Sequence, residues 1–276
     1  MGNTILVTGA SSGIGRATAL HFQQSGWNVV ATMRSPEKEE QLSGLDNVLV
    51  TRLDVLDSQS ISSAVNAVVD RFGGIDVLVN NAGYGAYGPL EAFPLEGIRR
   101  QWDTNVLGLL EVTKAVLPHM RRAGSGHIVN ISSIGGRVTF PLGTLYHGTK
   151  WAVEGISEAL SYELAHIGIR VKIVEPGAIA TDFAGRSFDF TNDESMAEYQ
   201  PVVQNLWSGF GASLEQTSPP SVVAEVIMTA VTDGSDRLRY QAGDDAVAIV
   251  AQREMHGDEA WMAGIRQRFG IESYQS

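Results

Sequence analysis

Thr8-Gly9-Ala10-Ser11-Ser12-Gly13-Ile14-Gly15 is the stretch on which the reading of this chain turns. It follows the β-rich run Thr4-Ile5-Leu6-Val7-Thr8 and opens a helical pattern over 13–24. A strand-to-helix turn of this kind can bring backbone close to a diphosphate and aim the amides of the helix N-terminus at it. Side chains obstruct that approach, so glycine is favoured. Alone, a glycine triplet is a weak signal; between a strand and a helix it is a specific one. The plain alternative is a tight βα turn that binds nothing.

Outward from this turn, β-rich runs at 4–8, 28–33, 48–53, 77–79, 127–131 and 171–174, with a weaker one at 238–241, alternate with helical patterns. The helices are expected at 13–24, 58–72, 104–122, 150–166 and 219–232. Such alternation is the mark of βαβ units and a parallel sheet. Several runs are nearly continuous in Val, Ile and Leu, as expected of strands buried on both faces. The fold class predicted is α/β, a doubly wound parallel sheet of the Rossmann type, in a single domain over 1–276. Ser218 reads as the N-cap of the helix at 219–232, with Pro219 at its first position.

Residues 182–218 break the rhythm with Phe183, Phe188, Phe190, Tyr199, Trp207 and Phe210 set among polar residues and glycines. They follow the sixth strand, at the carboxyl edge of the sheet, where open α/β folds bind ligands. One reading is a helical excursion that packs its aromatics onto the main core. The other is a substrate lid, which the position and the aromatic content favour. Past Gly243, amphipathic patterns at 244–255 and 258–269 form a C-terminal helical extension over 243–276. It caps the pocket, builds a dimer interface or covers the sheet edge.

Acidic residues outnumber basic ones by 31 to 20, a formal charge of −11, which argues against a nucleic-acid partner. The absence of cysteine excludes disulfides, a thiolate nucleophile and Cys metal sites, and it suits a reducing cytoplasm. The six histidines lack HExxH-type spacing, so no metal is expected. No apolar run approaches the ~20 residues that span a bilayer. The expectation is a soluble, cytoplasmic protein with no membrane partner.

The spacing Gly9, Gly13, Gly15 resembles the TGxxxGxG turn of the short-chain dehydrogenase/reductase family, in its shorter-chain branch. The sugar-nucleotide branch carries TGxxGxxG instead. Asn80-Asn81-Ala82-Gly83 is similar to the family's NNAG, and Asp54-Val55 looks like the pair that holds the adenine ring. Asn105, Ser133, Tyr146 and Lys150 match its catalytic tetrad. Pro176-Gly177 matches the turn before the nicotinamide contacts, with Ile179 and Thr181 following. The resemblance implies a dinucleotide held by Gly9, Ser11, Ser12, Gly13, Ile14, Gly15, Asp54, Val55, Asn81, Ala82, Gly83, Tyr146, Lys150, Pro176, Gly177, Ile179 and Thr181. It also implies hydride transfer between the nicotinamide and a carbonyl or alcohol, and a homo-oligomer, either dimer or tetramer.

Tyr146 and Lys150 lie four residues apart and so project from one helix face. A free tyrosine, with a pKa near ~10, is a sluggish acid–base at neutral pH. A neighbouring ammonium and the positive nicotinamide favour the phenolate and lower that value. Tyr146 can then protonate a carbonyl oxygen or take the proton of an alcohol. A YxxxK spacing alone is also met as a surface pair. Here Ser133, thirteen residues earlier and just past the run 127–131, strengthens the catalytic reading. By the resemblance, Ser133 bonds the reacting oxygen as it gains charge, Lys150 bonds the nicotinamide ribose, and Asn105 completes a proton relay through water. Ser132 supports the turn.

The residues ending the second strand, Ala31-Thr32-Met33-Arg34-Ser35, bear on the choice of cofactor. An NAD enzyme commonly places Asp or Glu there. Met33 offers no carboxylate, and Arg34 offers a planar guanidinium suited to a phosphate. NADP(H) is therefore expected, with NAD(H) as the alternative; a solvated Arg34 paired with Glu37 is the plain reading. Pocket walls are expected from Tyr84-Gly85-Ala86-Tyr87, from 134–145 with Val138, Phe140, Leu142 and Leu145, and from the aromatic stretch. They suit a small hydrophobic ketone or alcohol. Arg137 and Arg186 are the candidates for a substrate carboxylate, and both read more readily as solvated. A non-catalytic NADP(H)-binding sensor or scaffold is the rival, and the intact tetrad argues against it.

Overall fold

Val29, Ala31 and Met33 alternate with Val30 along one strand, and the two sets enter different cores on opposite faces of a sheet. The computed structural model describes residues 2–181, 185, 187–214 and 217–271, with the backbone alone at 209–214. Its central sheet contains β1 (Thr4–Val7), β2 (Asn28–Met33), β3 (Val48–Arg52), β4 (Val77–Asn80), β6 (Gly126–Ile131), β7 (Ile169–Pro176) and β9 (Arg239–Ala242). All are parallel, in the order β3-β2-β1-β4-β6-β7-β9. This is the doubly wound Rossmann-type sheet that the sequence predicts.

Both faces are covered. Helix α1 (Gly13–Gln24) and α7 (Pro220–Thr232) bring Phe22, Val223 and Ile227 against Ile5, Val7, Val79 and Val129. On the other face, α2 (Ser58–Phe72) and α4 (Gly108–Ala123) bring Val65, Val68, Val112 and Val116 against Leu6, Leu78 and Ile128. The chain winds outward from β1 to β3, then returns to β4 on β1's other side. Strand order therefore reverses beside β1, and the crevice outside the carboxyl ends of β1 and β4 is where such sheets receive ligands. No helix of the described residues is long and apolar enough to cross a membrane.

Three helix boundaries differ from expectation. Helix α5 runs Thr144–Ala165 and begins six residues before the predicted 150, so Tyr146 lies in its first turn. Gly148 and Thr149, weak helix formers, mask this start in the sequence. The stretch predicted as one helix over 104–122 is a π-helical turn at Asp103–Leu107 followed by α4, and a further helix, α3 (Leu95–Trp102), precedes them. Pro219, not Ser218, caps α7, and Pro220 takes the first position. Ser218 instead forms a parallel bridge with Ile179.

Two three-residue strands were not foreseen: β5 (Gly85–Tyr87) and β8 (Phe188–Phe190) pair in parallel, with Tyr87 opposite Phe190. Runs this short carry no readable period. Beyond β8, α6 (Gln200–Leu214) completes the helical part of the excursion. Phe183 and Arg186 fall outside the described residues, as does the side chain of Phe210. At the C-terminus, α8 (Asp244–Met255) and α9 (Asp258–Arg268) follow β9. Ile265, Phe269 and Ile271 pack with Tyr87, Tyr146 and Leu206, and α8 lies against the edge strand β9.

Candidate active site

Ser133 and Tyr146 meet because β6 ends one turn before the 3₁₀ segment Ile134–Gly136, while α5 starts beside it. The Ser133 side chain hydrogen-bonds the Tyr146 hydroxyl, and its Oγ also accepts from Gly135 N–H at 3.0 Å. One helical turn along, Lys150 Nζ lies 5.8 Å from the Tyr146 ring centroid and donates to the Ile131 carbonyl at 2.9 Å. The expected lowering of the tyrosine pKa is not found. Burial raises it, and the Ser133 hydrogen bond is what counters the rise. Lys150 is itself lowered to about 8, because burial penalises its charge more than Glu154 supports it. The two groups thus move apart in pKa, and burial leaves Lys150 the readier of the pair to give up its proton.

Asn105 sits in the π-helical turn, a distortion frequent at functional sites. Its Nδ2 donates to Tyr84 O at 2.9 Å and to Thr149 Oγ1 at 3.1 Å, and its Oδ1 accepts from Tyr84 N–H at 3.1 Å. Both amide hydrogens are therefore committed, leaving one Oδ1 lone pair for the expected water relay. Thr149, which the sequence reading missed, ties Asn105 to α5 and also donates to Tyr146 O at 2.8 Å. Gly83 lies directly over the amide: a Cβ there would stand 3.0 Å from Asn105 Oδ1.

The glycine turn fits a dinucleotide diphosphate. Gly9 and Gly13 take positive φ, 67° and 54°, and a Cβ on Gly15 would strike the Gly9 carbonyl. Ser12, the N-cap of α1, makes no side-chain cap bond, so the first-turn amides beside Gly13 and Ile14 are left for an anion. Ser11 lies exposed at the turn's surface. Thr181 faces Gly13, its methyl 3.2 Å from where a Cβ would stand. Asn81 Nδ2 donates to Thr8 O at 2.9 Å and to Gly9 O, while Thr8 Oγ1 accepts from Asn81 and Ala82 N–H. Asn81 thereby locks the NNAG turn to the glycine turn. Thr8, not singled out beforehand, is the other half of that lock.

Asp54 and Val55 follow β3, where Asp54 Oδ1 accepts from Leu56 N–H and Val55 packs under Gly108. Arg34 is exposed just past β2, and no described residue pairs with its guanidinium, Glu37 included. Met33 does not face an open acceptor position; it is buried in the core. The nearby carboxylate of Glu39 is held by Arg16 in a two-pronged pair at 2.6 and 3.0 Å. Pro176 ends β7, and Gly177 and Ala178 are braced by Asp245 of α8, whose Oδ2 accepts from Ala178 N–H at 2.7 Å. A Cβ on Gly177 would collide with that carboxylate. Ile179 packs on the core and sends its backbone to Ser218.

Tyr146 opens into an aromatic enclosure. Tyr87 lies 5.5 Å from it, Phe188 stacks on Tyr87 at 5.2 Å, and Phe190 and Trp207 follow. Phe140, Leu142, Leu206 and Phe269 complete the cluster. Leu145, expected on this wall, packs instead with Ala86 and Phe93; Val138 is fully buried. Tyr199 leaves the pocket to bond Glu91. Arg137 is not solvated: it pairs with Glu175 at 3.0 Å and Glu254 at 2.8 Å.

A doubly wound sheet whose glycine-lined helix N-terminus stands beside a serine–tyrosine–lysine set, with the tyrosine buried, defines a dinucleotide-dependent oxidoreductase. The chain belongs to the short-chain dehydrogenase family, whose model matches residues 3–192. An uncharacterised oxidoreductase of Schizosaccharomyces pombe is 47% identical over 244 residues, covering 87% of this chain and 100% of that one. A solved short-chain dehydrogenase from Streptomyces avermitilis is 34% identical, covers 98% of this chain and 97% of its own, and superposes with a TM-score of 0.82. The structure of ElxO with NADP bound is 30% identical over 90% of this chain and 100% of its own, with a TM-score of 0.74.

Proposed function

We propose that the protein interconverts a hydrophobic ketone or aldehyde and its alcohol with NADP(H), Tyr146 serving as general acid and base. The observation that carries this is the Tyr146 hydroxyl, bonded to Ser133, one turn from Lys150, and walled by Tyr87, Phe140, Phe188 and Phe269. When bound, the dinucleotide supplies or accepts the hydride. The amides at Gly13 and Ile14 hold its diphosphate, Asp54 and Val55 the adenine, Arg34 the ribose phosphate, and Thr181 with the Gly177 turn the nicotinamide end. A solved relative with bound NADP supports the cofactor assignment, as does the guanidinium of Arg34, with which no described residue pairs.

Ser133 and Tyr146 bind the substrate oxygen. Tyr146 gives its proton to that oxygen in reduction and takes it back in oxidation. The Lys150 ammonium stabilises the phenolate left behind, and the Ser133 hydroxyl offsets charge on the reacting oxygen. Residues 182–218 and α9 act as lid and cap, keeping water from the proton transfer. The direct test follows absorbance of NADPH or NADH across aliphatic, aromatic and steroidal ketones. Consumption of NADPH with apolar ketones is expected. Silence with both cofactors across ketones, aldehydes and alcohols would overturn the proposal.

A further inference from the structure

The ten-residue loop between Ser133 and Thr144 supplies both a catalytic hydroxyl and a pocket wall, and one side chain spans it. His147 follows Tyr146 in the sequence, and one helical step turns it by about 100° away from the tyrosine's direction. Its ring is 4% exposed. Nδ1 lies 2.9 Å from the Gly135 carbonyl, and Nε2 accepts from Phe140 N–H at 3.0 Å. A peptide N–H can only donate, so Nε2 carries the lone pair and Nδ1 carries the proton given to Gly135.

Each anchor sits next to a working part. Gly135 N–H donates to Ser133 Oγ, so fixing Gly135 fixes the serine hydroxyl. The Phe140 ring packs in the cluster that contains Tyr146, so fixing its amide fixes the pocket wall. Space for the imidazole is kept by glycine: a Cβ on Gly143 would strike its Cδ2 and Nε2, and one on Gly135 would stand 2.9 Å from Nδ1. The loop also holds Leu142 at φ +62°, a conformation that non-glycine residues keep only when their surroundings impose it. Burial lowers the imidazole to about 4, so it stays neutral at working pH.

We propose that His147 is a positioning residue with two separable duties: Nδ1 sets the Ser133 hydroxyl, and Nε2 sets the substrate-side wall at Phe140. This rests on the reductase reading above. A buried hydrogen bond left unmade corresponds to roughly ten-fold in an equilibrium. His147→Leu should therefore lower kcat about ten-fold and raise KM for the fastest ketone of the panel by a similar factor. NADPH affinity, read by fluorescence, should stay within about two-fold. His147→Asn keeps a donor near Gly135 and should recover kcat alone. His147→Gln keeps an acceptor near Phe140 and should recover KM alone.

Wild-type kinetics in His147→Leu, or equal losses in the Asn and Gln variants, would overturn the division of duties. So would a loss of NADPH affinity that tracks the loss of turnover, since that would mark general disruption. If the wild-type chain turns over nothing, the reductase reading fails by itself. The clamp is then judged by ¹⁵N NMR of His147: a protonated Nδ1 and a lone pair on Nε2 support it, and the other tautomer refutes it.

Discussion

Lys150 is held at a charge cost that water would relieve. Its pKa falls from 10.5 to about 8 through burial, so the folded state gives up the proton before the unfolded chain does. Between about pH 8 and 10.5 the unfolded state binds more protons, and stability rises with pH across that window. Lys150→Met removes the cost, so its melting temperature should exceed the wild type's at pH 7, with the gap closing toward pH 10. A gap that stays constant with pH would show the lysine to be uncharged already. Arg34 gives a second residue-scale test. A charge-assisted hydrogen bond contributes about 1.5–3 kcal/mol, or roughly ten- to a hundred-fold. Arg34→Ala should raise KM for NADPH by that range and leave NADH nearly unchanged; equal weakening of both would mean that Arg34 does not read the phosphate. A carboxylate at Met33 is a poor probe of cofactor choice, because that side chain is buried in the core.

At the scale of elements, one helix carries two glycines with opposite meanings. Gly143 caps α5 and has His147 and Tyr87 against it, whereas nothing lies within 4 Å of a Cβ on Gly155 in the exposed middle. Gly155→Ala should stabilise by about 0.5–1 kcal/mol through helix propensity. Gly143→Ala should destabilise and cut turnover, because the Cβ displaces the imidazole. Urea unfolding of both variants reads the sign directly, and stabilisation by both would sink the packing argument. Much of the element order was legible because buried parallel strands are runs of Val, Ile and Leu and each βα turn is marked by glycine or a cap. The start of α5 was not, since Gly148 and Thr149 weaken the pattern where Tyr146 needs it. The π-turn at Asn105 was hidden too, because its cause is tertiary: Tyr84 and Thr149 bind the amide from other elements. His147 could have been noticed from glycines at 135 and 143 around a buried-type loop, but only contact geometry says what they make room for.

The whole molecule ties its C-terminal third to the candidate site. Asp245 of α8 braces the turn at Gly177, Glu254 of α8 meets Arg137 beyond Ser133, and Phe269 closes the pocket over Tyr146. Beneath α5, Arg239 of β9 pairs with Glu154 at 2.9 Å and Glu158 at 2.6 Å. Burial pushes the Glu154 carboxyl up, Glu175 adds to it, and Arg239 offsets both. The glycine turn and tetrad were readable because their chemistry fixes residue types at set spacings. The C-terminal contacts join residues more than sixty positions apart, and no local pattern announces them. Phe269 brings this part of the chain to Tyr146, whose hydroxyl is the central claim. Tyr146→Phe removes that hydroxyl alone, so NADPH oxidation with the best ketone should fall by about 10²–10⁴-fold. NADPH binding measured on the same sample should persist, since the ring and Lys150 remain. Turnover near the wild-type rate in Tyr146→Phe would contradict the account.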